Sequence, residues 1–141
     1  MNNQIFLLVD DDEDDCAFFC EAVSKIDSSV KCLTAFNGED ALYKLRININ
    51  SLPHFIFMDL NMPCMDGKQC LRELKKDVQL KHIPVIIFST SSSPRDVKET
   101  LKLGAAYFIT KPVTLTKLQE EITHVMETDW LSAVQAKAFL E

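Results

Sequence analysis

The sequence predicts an α/β fold in which five parallel strands alternate with five helices, (βα)5. Three observations predict it. Five short apolar runs are spaced along the chain: IFLLV (5–9), VKCLTAF (30–36), FIFM (55–58), VIIF (85–88) and AYFIT (106–110). Between them lie segments with apolar residues at helical spacing. Four of the runs are almost continuously apolar, as expected of parallel strands covered on both faces.

Taken in order, the first run stops at six consecutive acidic side chains, Asp10 to Asp15. Residues 14–26 then place Phe18, Phe19, Ala22, Val23 and Ile26 on one helical face. The second run alternates more than the others, which suits a strand nearer an edge. Residues 39–47 carry Ala41, Leu42 and Leu45 in phase. After the third run, residues 66–76 put Cys70, Leu71 and Leu74 on one stripe, with Lys68, Arg72, Glu73, Lys75 and Lys76 elsewhere. Residues 94–103 open with Ser-Pro, an N-cap followed by Pro at the first helical position. Residues 114–126 align Leu115, Leu118, Ile122 and Val125. Crossovers of this length connect parallel strands, and each should be right-handed. Beyond the fifth helix, 128–141 carries Trp130, Leu131, Val134 and Ala138 near helical spacing. A docked terminal helix is the favoured reading there, and a dimer or partner surface the other.

A chain of 141 residues suggests one domain with one core, and 47% hydrophobic residues is ordinary for a globular fold. Net charge −6 and a pI near 5.0 argue against non-specific nucleic-acid binding. No apolar stretch approaches the roughly 20 residues of a membrane span. The N-terminus lacks a basic region and runs into acid, so it does not read as a signal peptide. The five cysteines are odd in number and form no C-x-x-C. Cys16 and Cys20, one turn apart, read as buried small hydrophobes, and a reduced, cytoplasmic setting is expected. His54, His82 and His124 lack metal-ligand spacing. Only three glycines occur, and none forms a Gly-rich phosphate loop.

In an open α/β sheet, ligands bind beyond the carboxyl ends of the strands. Those ends carry Asp10 and Asp11, then Asp59, then Ser89 and Thr90, then Lys111. The acidic run divides. Asp12 suits an N-cap with Asp15 as its capping-box partner, and Glu13, Asp14 and Asp15 suit the positive end of a helix dipole. Helix chemistry explains Asp10 and Asp11 poorly. A calcium loop would use Asp10, Asp12, Asp14 and Glu21, but the glycine it needs at its sixth position is Asp15, and a strand precedes it. Asp59 completes a pocket of three carboxylates, which cannot all stay ionised without a cation. A phosphoryl group arriving there adds roughly two more negative charges. Lys111 alone cannot offset them, so a divalent metal is required, and Mg²⁺ favours such oxygen ligands. Pro112 after Lys111 could fix an unusual turn, and a cis bond would aim the lysine inward.

The segments LLVDDDEDD (7–15), IFMDLNMPCMDG (56–67), PVIIFSTS (84–91) and GAAYFITKP (104–112) occur in order. With the helices between them they resemble, over 5–127, the receiver domain of two-component response regulators, the CheY-like family. The resemblance implies a flavodoxin-like, doubly wound parallel sheet with strand order 2-1-3-4-5. It makes 1–127 the receiver domain and 128–141 a helical C-terminal extension. It also implies that Asp59 accepts a phosphoryl group. Asp10, Asp11, Asp59 and the main-chain carbonyl of Asn61 would hold Mg²⁺, with Asp11 a more direct ligand than Asp10. Lys111 would pair with the phosphoryl group, and Ser89 would be the switch hydroxyl. Adjacent strand residues face opposite sides, and Ser89 rather than Thr90 matches the family position, where Thr is common. Phe108 matches the family's aromatic position without the hydroxyl of the commoner Tyr, so it would toggle by packing alone, while Tyr107 should face away.

The implied function is a stand-alone switch, not a conventional enzyme. It would take its phosphoryl group from a sensor histidine kinase or a histidine phosphotransfer protein. It would then signal to a downstream protein through the face 94–127, as a monomer or weak dimer. Fourteen residues after the fifth helix are too few for a DNA-reading domain, so output is expected through protein contact or onward phosphotransfer. Two other readings compete with it. A haloacid-dehalogenase-like phosphatase would use Asp10 as nucleophile and Asp12. It lacks the acidic pair expected on a strand after the lysine, since Glu120 and Glu121 lie in a helical segment. A pseudo-receiver that never accepts phosphate is disfavoured because every expected group is present.

Overall fold

The structure, a computed structural model, describes residues 4–130. Ten elements follow one another: β1 Ile5–Val9, α1 Glu13–Ile26, β2 Lys31–Ala35, α2 Gly38–Ile47, β3 Phe55–Met58, α3 Gly67–Lys76, β4 Val85–Ser89, α4 Pro94–Lys102, β5 Tyr107–Thr110 and α5 Leu115–Glu127. All strand pairs are parallel, and the sheet order is β2-β1-β3-β4-β5. This is the flavodoxin-like order. It puts the carboxyl ends of β1 and β3 side by side, with Val9 opposite Met58. Ser89 at the end of β4 lies opposite Thr110 at the end of β5.

Local chemistry starts each helix. Asp12, Asn37, Asp66, Ser93 and Thr114 are N-caps, and each side chain accepts from the main-chain N–H three residues on. Pro94 follows its cap in the first turn of α4. After α4 the chain turns at Gly104, whose φ of 111° is a left-handed conformation that suits glycine.

Alternation along the strands feeds two cores. Phe6, Leu8, Phe57, Ile86 and Phe88 pack under α1 and α5 against Phe19, Ala22, Leu118 and Ile122. Leu7, Val9, Ile56, Met58 and Ile87 pack under α2 and α3 against Leu42, Leu45, Leu71 and Leu74. The first core is built on aromatic contacts, with Phe19 4.8 Å from Phe57 and 5.5 Å from Phe88 between ring centroids. Burial of each such ring stabilises the fold by about 1.5–3 kcal/mol. By contrast, α4 has one fully buried residue, Thr100.

Two expectations need correction. The run at 106–110 reads as covered on both faces, but β5 is an edge strand, and only Ile109 within it is buried. Its apolar residues meet α4 and α5 at the margin of the sheet. Cys16 and Cys20 are half-buried, not buried, because they flank the α1 stripe that Phe19 and Val23 occupy. The Lys111–Pro112 bond, whose isomer the sequence left open, is trans, since no cis peptide occurs among the described residues. Of the C-terminal extension, Trp130 packs on Tyr107 and His124 and donates from its indole N–H to the Val125 carbonyl at 2.9 Å. Leu131, Val134 and Ala138 lie outside the described residues. No helix among the described residues is long and apolar enough to cross a membrane.

Candidate functional site

The parallel register brings Asp10 and Asp59 together, each one step beyond its strand. The Asp10 N–H donates to the Ala35 carbonyl, and the Asp59 N–H donates to the Val9 carbonyl, so sheet hydrogen bonding fixes both backbones. Asp10 is buried, Asp59 is 8% exposed and Asp11 is exposed. One carboxylate oxygen from each lies within 4.8 Å of the other two. Such an all-oxygen donor set, open to solvent on the Asp11 side, fits a hard divalent cation.

The loop after β3 is shaped by Gly67. A Cβ there would collide with the main-chain carbonyl of Asp59 and come within 2.9 Å of Leu60 Cα. The Gly67 N–H donates to the Leu60 carbonyl at 3.0 Å, which folds the start of α3 back over the end of β3. Cys64 in this loop has a φ of 67°, unusual for a residue with a side chain. Asn61 sits in the same turn, exposed.

Lys111 reaches the carboxylates from β5. Its Nζ lies 2.8 Å from Asp10 Oδ2, 2.7 Å from Asp15 Oδ2 and 3.5 Å from Asp59 Oδ2. It also lies 5.6 Å from the centre of the Phe88 ring. Burial works against the ammonium charge, but the bonds from Asp10 and Asp15 and the field of Asp59 outweigh it, so Lys111 is held above the usual lysine value. Asp59 is pushed above the usual aspartate value. Burial is the main cause and the charge of Asp10 adds to it, while Lys111 and the main-chain N–H groups of Leu60 and Asn61 oppose it. The Leu60 N–H donates to Asp59 Oδ1 at 2.8 Å. A carboxylate in this setting gains from added positive charge.

Ser89 is fully buried and Thr90 is exposed. Ser89 Oγ accepts from the Ser91 N–H at 3.2 Å. Ser91 Oγ donates to Asp96 Oδ2 at 2.7 Å, and Lys68 Nζ donates to Asp96 at 2.8 Å and to Glu99 at 3.0 Å. A polar chain therefore runs from the end of β4 into α4 and across to α3. Phe108 and Tyr107 point to opposite sides. Phe108 packs with the core under α2 and α3, while Tyr107 packs on His124 and directs its hydroxyl to Glu121 at 3.4 Å.

Asp12 is the N-cap as expected, accepting from the Asp15 N–H at 3.0 Å. The capping-box partner is a correction. The Asp12 N–H donates to Asp10 Oδ1 instead, and the Asp15 carboxylate turns to Lys111. Assigned to the helix terminus, Asp15 was missed as part of the site. The available signal was phase, because Asp15 lies one turn before Phe19 and two before Val23 on the buried stripe of α1.

Residues 6–123 match the response regulator receiver domain family. The chain is 27% identical over 130 residues to the probable methanogenesis regulatory protein FilR2 of Methanothrix harundinacea, covering 90% of this chain and 83% of that protein. The phosphorylated cyanobacterial phytochrome response regulator RcpA superposes with a TM-score of 0.81 at 32% identity, over 94% of this chain and 96% of its own. The Mn²⁺-bound form of the response regulator Rcp1 superposes with a TM-score of 0.76 at 30% identity, over 91% and 94%. With the strand order, the clustered carboxylates and the lysine opposite them in place, the chain belongs to the response regulator receiver domain family of two-component systems.

Proposed function

We propose that this chain accepts a phosphoryl group on Asp59 in a Mg²⁺-dependent reaction. The observation that carries this is the convergence of Asp10, Asp11 and Asp59 within 4.8 Å, with the Lys111 ammonium against two of them. The solved relatives support it, one being phosphorylated RcpA and another Rcp1 with Mn²⁺. Mg²⁺ held by Asp10, Asp11, Asp59 and the Asn61 carbonyl would supply the positive charge that the equatorial phosphoryl oxygens require. The donor is a phosphohistidine on a sensor histidine kinase or a phosphotransfer protein. An Asp59 carboxylate oxygen attacks phosphorus in line. The P–O bond forms as the P–N bond breaks, and the imidazole nitrogen keeps the electron pair. Burial, with the charge of Asp10, raises the Asp59 carboxyl against the pull of Lys111, and Lys111 stabilises charge on the transferring group. Later, water attacks phosphorus, inorganic phosphate leaves, and Asp59 returns to its carboxylate.

Output follows from the strand ends. Ser89 and Phe108 shift toward the phosphoryl group and the vacated space. This biases a pre-existing equilibrium of the face 94–127, which a downstream protein reads. Within that face α4, with one buried residue against three in α5, is the part most easily moved. The chain thus acts as a signalling switch that modifies itself and not as a conventional enzyme, in a cytoplasmic setting.

The test is incubation with acetyl phosphate, with and without Mg²⁺, followed by intact mass. The wild type gains one phosphoryl group only with the metal, and Asp59→Asn gains none. Label on Asp10 would instead favour the phosphatase reading.

A further inference from the structure

The shortest contact of the Lys111 ammonium is to a carboxylate outside the cation-binding cluster. Asp15 Oδ2 stands 2.7 Å from Nζ, while Asp59 Oδ2 stands at 3.5 Å. Charge-assisted N–H···O bonds run about 2.7–2.9 Å, so two of the three N–H groups of the lysine are engaged at full strength by Asp10 and Asp15, and Asp59 is held only loosely. The Lys111 side chain is 11% exposed and that of Asp15 is 38% exposed. Asp15 is held in place from both ends, because its main-chain N–H is fixed by the Asp12 cap and its Cα sits on the buried stripe of α1. It belongs to neither the three-carboxylate cluster nor the capping box.

From this we infer that Asp15 is a positioning residue that competes with Asp59 for Lys111 and so slows phosphoryl loading. The inference rests on the phosphoryl-accepting reading of Asp59. In the unloaded protein the ammonium is shared between Asp10 and Asp15. A transfer transition state spreads charge over the equatorial phosphoryl oxygens, and Lys111 shifts from Asp15 toward it. The bond to Asp15 is therefore weakened between the unloaded state and the loading transition state, which raises that barrier. Once Asp59 carries the phosphoryl group, Lys111 is already on it, in the loaded state and in the hydrolysis transition state alike. Asp15 then affects decay little. The negative charge of Asp15 also repels an incoming anionic donor, which works in the same direction.

The test compares wild type, Asp15→Asn and Asp15→Glu at saturating Mg²⁺. Loading by acetyl phosphate is followed by intact mass, and decay is followed after the donor is removed. Asp15→Asn loads roughly two- to fivefold faster, the size one half-exposed ion pair supplies, while its decay rate stays within about twofold. Asp15→Glu, which keeps the charge, returns loading toward the wild-type rate. A third readout is NMR of isotope-labelled lysine ammonium groups. Before any donor is added, the Lys111 signal shifts in Asp15→Asn, and thermal melts check that the variant is folded. Wild type that loads while Asp15→Asn loads at the same rate or slower overturns the inference alone, as does an equal change in loading and decay. Wild type that takes no phosphoryl group overturns the underlying reading and this inference with it.

Discussion

A side-chain carbon on Gly67 would strike the main-chain carbonyl of Asp59. The two residues lie on opposite sides of a tight loop, and the absent Cβ lets α3 begin directly over the end of β3. Helix propensity alone says that Gly67→Ala at the start of α3 should help by up to about 1 kcal/mol. Forcing a carbon into a packed backbone contact costs more, typically 1–3 kcal/mol or above. We expect the collision to win. Gly67→Ala should lose about 2 kcal/mol in urea unfolding and bind Mg²⁺ more weakly, because Asp59 has to move. A variant as stable as wild type would show that the loop relaxes freely and that the glycine does not position Asp59.

Burial raises the Asp59 carboxyl, against the pull of Lys111 and with the help of the Asp10 charge. A carboxyl whose value is higher folded than unfolded weakens the fold once both states are ionised. The penalty is absent below the unfolded value, near pH 4, and is complete above the folded one. Asp59→Asn should therefore melt higher than wild type at pH 7 in chelator. The gap should close as the pH falls toward 4, and Mg²⁺ should raise the wild-type melting temperature more than that of the variant. Melts in EDTA and in Mg²⁺ across this range check it. A variant less stable than wild type at pH 7 in EDTA contradicts the argument.

Lys111 is the ammonium that faces the buried Asp10 carboxylate, whose side chain has no exposed surface. Lys111→Met keeps most of the apolar stem and removes the charge, leaving Asp10 and Asp59 facing each other. Breaking a buried ion pair from one side costs about 3–5 kcal/mol. Asp10 keeps its bond from the Asp12 N–H, so the low end is expected. Because the excess charge is negative, Mg²⁺ should restore part of the loss, and so should mild acid, which protonates a carboxylate. Chemical unfolding at several Mg²⁺ concentrations and pH values measures this. Equal losses with and without metal would mean that Lys111 acts by packing.

Much of this was legible in the sequence, and the reason is local consistency. Each strand is a short apolar run, and each helix has its own N-cap, from Asp12 to Thr114, so boundaries fell within a residue or two. Asp10, Asp59 and Lys111 were found because strand ends converge in any sheet of this kind. The exposure of β5 was harder, since AYFIT is as apolar as a central strand, and its composition hid the edge position that the strand order implied. Asp15 was misassigned because two local rules, dipole and capping box, already explained it. Its bond to a residue 96 positions away is visible only in three dimensions. The run of polar contacts from Ser89 to Lys68 was hidden for the same reason.

Those contacts carry the last prediction. Lys68 on α3 grips Asp96 and Glu99 on α4, and Asp96 in turn holds Ser91, whose N–H donates to the Ser89 hydroxyl. The Lys68 bond, with the Ser91 hydroxyl, holds Asp96 below the usual aspartate value, so the pair stays ionised at neutral pH. Half-exposed pairs contribute little to global stability, and Lys68→Met should cost at most about 1 kcal/mol. Its effect should be local. α4 has one buried residue, and besides this chain the segment 90–97 is tied down by polar contacts alone, among them Thr110 Oγ1 donating to the Ser91 carbonyl at 3.1 Å and the Ser93 cap. Hydrogen exchange of the 90–97 amides should rise several-fold in the variant, with no change in α1. Ser91→Ala should give the same pattern, since it cuts the chain one link closer to Ser89. Faster exchange confined to α3, or none in 90–97 for either variant, would show that the β4–α4 loop is held by something other than this chain of contacts.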